Sequence, residues 1–300
     1  MVRCRYFFLF AFTLISFSNA NAKILFEGYS KVLLSGVHVG YYVNRYEYDV
    51  QKKQFISIYF LKTNEVAGSI SESLKAVSTD KFDPISYQYN SISGGLTKVI
   101  NATFKKGVMT AKVTEGGKKV QSIILDLKKD KDKDEKQKFL SSFLAYYLLA
   151  EPDGMTTGKK LPYSAIAEED GKLYKGLVVV ESKEEIQGIP VFKILNEFKE
   201  AKFISYATEK GEVLATLSPA QSISTELVAD QKTAVGNFSL NTSSLKLLFG
   251  SVPTGQENAV SKAAAQVKTI VPSGKIQGVP GGKGLILKSK APIQKTEEGQ

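Results

Sequence analysis

The chain has 300 residues, with 40 Lys and Arg against 30 Asp and Glu, a formal charge of +10 and a pI near 9.3. A single cysteine and a single histidine exclude a disulfide framework, a catalytic thiol–imidazole pair in the exported chain described below and zinc sites of the usual His/Cys kinds. The cations are nearly all lysines scattered along the chain, without the arginine forks and interleaved aromatics that sequence-specific nucleic-acid binding requires.

Arg3 and Arg5 give a basic start, Tyr6 to Phe17 an apolar run, and Ala20-Asn21-Ala22 a small-residue cleavage signal. This order predicts a secretory signal peptide over residues 1–22, cut after Ala22, with an apolar core too short to span a bilayer. The expected mature chain, Lys23 to Gln300, carries +8 and no cysteine, because Cys4 leaves with the leader. No apolar run of 18 or more residues follows, so no transmembrane helix is expected. An exported domain of this size buries a core without disulfides, and a cysteine-free one suits a bacterial periplasm.

From Lys23 to Asp126 the apolar pattern has period two, broken by turn residues. It predicts strands at Tyr29–Leu34, Val37–Tyr48, Phe55–Leu61, Ser71–Thr79, Ile85–Ser91, Leu96–Phe104, Val108–Thr114 and Lys118–Asp126. Ser35-Gly36, Asp83-Pro84, Gly94-Gly95, Lys106-Gly107 and Gly116-Gly117 are the breaks. Short strands without intervening helices predict an antiparallel sheet that curls or closes. Lys128 to Lys138 is a run of alternating charge, and Phe139, Leu140, Phe143, Leu144, Tyr147 and Leu148 then recur at helical spacing. One helix packed against the sheet is expected over about 137–150, ended by Pro152 and Gly154.

Strands resume at Gly158–Ala167, Lys172–Glu181, Glu184–Ile189, Pro190–Phe198, Phe203–Thr208 and Glu212–Leu217, with Ser222–Leu227 either a strand or a short helix. Leu34-Ser35-Gly36-Val37 is echoed by Ile186-Gln187-Gly188-Ile189, and again by Ile276-Gln277-Gly278-Val279. The first two predict equivalent tight hairpins whose glycine takes a positive φ. After Phe249 no aromatic residue occurs, and Gly255 to Gln300 carries seven lysines against three glutamates, a charge of +4. The expected organisation is therefore a signal peptide (1–22), one β-rich domain (23–250) and a flexible basic tail (251–300).

No catalytic, cofactor or metal site is expected. His38 lies in a predicted strand, and the chain has no G-x-S-x-G elbow. Asp130, Asp132 and Asp134 mimic the opening of a calcium loop, but Glu135 and Ser141 stand where glycine and a carboxylate belong. Glu181, Glu184 and Glu185 beside Lys183 read as surface. Gly281-Gly282-Lys283-Gly284 lacks phosphate-loop spacing.

The segment Phe26 to Tyr41, with its G-x-x-V-G-Y pattern and the long strand that follows, resembles the opening of exported bacterial proteins of domain-of-unknown-function family 3108. Phe82-Asp83-Pro84-Ile85, the helix before Pro152 and Lys210-Gly211-Glu212-Val213-Leu214 are similar to later pieces of that family. The resemblance covers about residues 24–218. It implies a curled antiparallel sheet in the periplasm and supplies no catalytic residues.

The sequence thus predicts a mainly β, non-enzymatic envelope protein. It would bind an apolar or polymeric ligand, or dock a partner, on a curled sheet; lipid, glycan and envelope protein are the expected partner classes. The basic tail would add weak electrostatic contact with an anionic envelope surface. The alternative is a carboxylate-dependent enzyme acting on envelope polysaccharide or peptidoglycan.

Overall fold

The computed structural model describes residues 22–117, 120–128 and 137–270. The expected leader before Ala22, most of the charged run (Asp130, Asp132 and Asp134 included), and residues 271–300 with Gly281-Gly282-Lys283-Gly284 lie outside the described residues.

The first half is a meander of β1 (Ala22–Leu34), β2 (Val37–Asp49), β3 (Gln54–Thr63), β4 (Ser71–Thr79), β5 (Pro84–Ser93), β6 (Leu96–Lys105), β7 (Val108–Glu115) and β8 (Gln121–Asp126). The second half contains β9 (Lys138–Leu140), α1 (Leu144–Ala150), β10 (Lys160–Ala167), β11 (Lys172–Ile186), β12 (Ile189–Phe198), β13 (Ala201–Ala207), β14 (Val213–Ser218) and β15 (Ile223–Val228). Three further helices follow: α2 (Gln231–Val235), α3 (Thr242–Phe249) and α4 (Ala259–Ile270).

All fifteen strands join one curled, unclosed sheet in the order β8-β7-β6-β5-β4-β3-β2-β1-β15-β14-β13-β12-β11-β10-β9. Every pairing is antiparallel except β9 with β10. The first strand is thus central, and the halves meet where β1 pairs with β15 (Tyr29 opposite Val228).

The turns follow from residue chemistry. Ser35-Gly36 has φ of +50° and +81°, and Gln187-Gly188 has +53° and +78°. Two consecutive positive φ values make the tight turn that matches strand twist, so the two echoed motifs are equivalent hairpins. The third echo lies outside the described residues. Gly40 has a different reason: a Cβ there would sit 2.1 Å from the Lys62 carbonyl oxygen on β3.

Alternation along the strands sends side chains to two faces. Leu74, Tyr89, Ile100, Met109, Phe139 and Phe143 belong to the largest core. On the opposite face of β1–β3, Tyr29, Tyr41, Ile58 and Phe60 pack against α2 and α3. A third cluster joins Phe26, Val191, Leu214 and Leu227 to Val260 of α4.

Three expectations need correction. The helix over 137–150 is in fact β9, a 3₁₀ turn at Ser141–Phe143 and then α1. Its apolar residues are buried as expected, but Phe139 and Leu140 gain ladder pairing with β10, which a helix would forgo. The strands expected at Lys172–Glu181 and Glu184–Ile189 are mostly one strand, β11, kinked by a bulge between Val180 and Ser182. The tail does not begin at residue 251. Val252 to Ser261 is packed, with Asn258 fully buried and Ser261 nearly so. Composition misleads there because most of the anchors are polar: buried carboxylates and carbonyls hold the segment, with Val252 and Val260 adding apolar contact.

Candidate functional site: a cleft between the sheet and α3

The cleft begins with a buried charge pair. Glu27 on β1 stands opposite Arg45 on β2, and both are almost fully buried. Arg45 Nε donates to Glu27 Oε2 at 2.7 Å, and Nη2 lies 2.5 Å from the same oxygen. The other Glu27 oxygen accepts from Gly255 N at 2.7 Å and Thr254 Oγ1 at 3.0 Å. Arg45 Nη1 donates to Glu47 Oε1 at 3.2 Å and to the Phe249 carbonyl at 3.0 Å. That carbonyl ends α3, where helix acceptors lack intrahelical partners and a cation is favoured. The guanidinium also lies 5.1 Å from the Phe249 ring centre.

The N-terminal end of α3 is held by the same strand. Asn241 Oδ1 accepts from Ser244 N at 3.1 Å and caps the helix. Tyr41 Oη accepts from Asn241 N at 3.1 Å, and burial raises the Tyr41 hydroxyl pKa. Tyr41 and Arg45 are four residues apart on one face, a span of about 13 Å at strand rise. An eight-residue helix is about 12 Å long, so β2 grips both ends of α3 and lays it along the strand.

With α3 seated there, the same face of β4 and β5 stays open, and a cleft of about 680 Å³ remains. Leu247 and Leu248 form part of its helical wall, with Leu247 59 % exposed. The floor is read from strand register. One row runs Arg45, Ile58, Lys75, Gln88, and the next runs Val43, Phe60, Ser73, Asn90. From β3 to β5 the floor therefore changes from apolar, through Lys75 and Ser73, to the amides Gln88 and Asn90. Asn90 Nδ2 donates to Ser73 Oγ at 3.3 Å.

A second arrangement lies on the other face. Glu168, at the end of β10, is buried; its carboxylate accepts from Ser141 Oγ at 2.5 Å and Ser142 N at 3.1 Å. Burial raises its pKa, and the serine hydrogen bonds offset this only in part. Glu72 on β4 is also raised by burial, against a lowering hydrogen bond from Tyr89. Both carboxylates face Tyr42 and Tyr59, whose hydroxyls burial pushes well above the ordinary range.

His38 Nε2 donates to the Gly40 carbonyl at 2.9 Å, and its ring meets Phe238 edge-on at 5.0 Å. It joins neither arrangement. Glu181, Glu184 and Glu185 lie exposed on β11, with Glu181 2.9 Å from Lys193 and Glu184 accepting from Ser182. Sequence reasoning missed Glu27, Arg45, Glu72, Lys75 and Glu168. For Glu27 and Glu72 the signal was the alternation itself, which puts each between apolar residues two positions away (Leu25 and Tyr29, Ile70 and Leu74); Arg45, Lys75 and Glu168 each have a polar residue on one side and carry no such signal.

No family model and no curated protein matches the chain. Among solved structures the fold is similar to a crystal structure of a β-barrel-like protein of domain of unknown function DUF1849 from Brucella abortus. That likeness has 8 % sequence identity and a TM-score of 0.47, and it covers 69 % of this chain and 98 % of that one.

Proposed function

We propose that this is an exported, non-catalytic envelope protein of the periplasm that holds an amphiphilic chain in the cleft between β3–β5 and α3. The cleft carries the reading: about 680 Å³, with Ile58 and Phe60 below, Leu247 and Leu248 beside, and polar side chains gathered at one side. That size and mixture suit a ligand with an apolar body and a polar end. Export rests on the order of residues 1–22. The lone histidine is engaged in packing contacts, which weighs against imidazole chemistry.

The raised carboxyls of Glu72 and Glu168 favour a second reading, a carboxylate-dependent enzyme acting on envelope polysaccharide. Native mass spectrometry of protein purified from its own cells separates the two. An amphiphile adduct on the parent that is lost from Leu247→Asp supports binding in the cleft. Absence of any adduct, together with polysaccharide cleavage abolished by Glu168→Gln, supports the enzyme.

A further inference from the structure

We infer that the ligand of this cleft is anionic at its polar end, and that Lys75 receives the charge, with Ser73 and Gln88 beside it. The inference rests on the cleft being a binding site and names the chemistry it selects.

Two cations line the cleft, and they are not equivalent. Arg45 is already compensated by two carboxylates, Glu27 at 2.5 Å and Glu47 at 3.2 Å, and by the Phe249 carbonyl at 3.0 Å, so its end of the cleft, where Glu47 also lies, carries net negative charge and offers an anion nothing. Lys75 is half-buried and has no ion-pair partner among the described residues. Glu72, the nearest carboxylate in sequence, has its side chain on the other face with Tyr89. A half-buried lysine without a counter-charge leaves a place for an anion in the cleft.

The surroundings of Lys75 supply hydrogen-bonding groups. Gln88 is its cross-strand neighbour on β5, and Ile58 its neighbour on β3. Ser73, two residues away on the same face, holds Asn90. Lys75 thus stands at the boundary between apolar floor and polar rim. An aliphatic chain lying over Ile58 and Phe60 would place a terminal anion beside Lys75. A carboxylate and a phosphate both satisfy this, since lysine recognises either as a point charge.

The test titrates decanoate, decyl phosphate, decanol and decyltrimethylammonium, each below its micelle concentration, into the full chain by calorimetry. The proteins are the parent, Lys75→Gln, Lys75→Arg and Leu247→Asp, each first shown to melt as a folded protein. Both anions should bind at least about 10-fold more tightly than decanol, and the ammonium ligand most weakly. Lys75→Gln should erase that preference, and Lys75→Arg should restore it. A preference for decyl phosphate over decanoate would identify a phosphate head as the source, and the reverse a fatty-acid carboxylate. Equal binding of all four ligands, unaltered by Lys75→Gln but lost in Leu247→Asp, overturns the anion inference and leaves the cleft as a binding site. Failure of every ligand to bind, or binding unaffected by Leu247→Asp, overturns both.

Discussion

Arg45→Met tests whether one buried guanidinium holds the cleft together. Methionine keeps much of the apolar stem and removes the charge and its donors. Glu27, 2 % exposed, would then keep only Gly255 N and Thr254 Oγ1 around a buried carboxylate, while the Phe249 carbonyl would lose its donor. Breaking a buried pair by removing one partner costs about 3–5 kcal/mol. With a urea dependence of about 3 kcal/mol per molar, the upper end for single domains, the unfolding midpoint should fall by about 1–2 M. The double variant Glu27→Gln/Arg45→Met removes the stranded charge and should recover part of that loss. Hydrogen exchange should show the amides of Leu245 to Phe249 opening first in the single variant. A single-variant midpoint within about 0.2 M of the parent would refute the view that this pair anchors α3.

Other expectations follow from the same geometry. Gly40→Ala, forced against the Lys62 carbonyl, should cost about 3 kcal/mol, whereas Gly36→Ala, with open space around it but positive φ, should cost about 1–2 kcal/mol in the same urea titrations. A chain ending at Thr254 should melt lower than one ending at Ile270, because it loses Gly255 N to Glu27, Asn258 Nδ2 to the Glu27 carbonyl, Ala259 N to Glu212 and the buried Val260; equal melting of the two would contradict the packing of this segment. Glu168 is raised in the folded state, so its ionisation opposes folding as pH climbs above the unfolded carboxyl value. Glu168→Gln should therefore match the parent in its pH dependence below about pH 4 and gain relative stability above it, and a difference that shrinks with rising pH would show the opposite sign.

Strand content was legible because alternation and turn chemistry agree locally. Ser71–Thr79 is found as expected, since apolar Leu74 and Ala76 alternate with Ser73 and Lys75. The stretch at 137–150 misled because Phe139 and Leu140 suit a helix face and a buried strand equally. Only the partner strand β10, more than twenty residues later, decides between them. The cleft was not legible at all. Lys75 and Gln88 become neighbours through register, and the α3 seat depends on Tyr41 and Arg45 reaching across about two hundred residues. The packed segment after residue 251 was hidden because Gly255, Asn258 and Ser261 resemble linker residues in composition while serving as hydrogen-bonding anchors.

The central position of β1 has a consequence for how the molecule is assembled. Its hydrogen-bonding edge toward β15 cannot be satisfied until residues 223–228 have been made and docked, nearly two hundred residues after Tyr29. Until then β1 is the margin of the first meander, an open edge at what becomes the middle of the finished sheet and a template for wrong strand pairing. Joining of the halves is a high-contact-order event, slow relative to forming either set of hairpins. Refolding should therefore pass through two preformed meanders that dock late, and aggregation during that interval should be sensitive to changes on β1 far more than on β8 or β9.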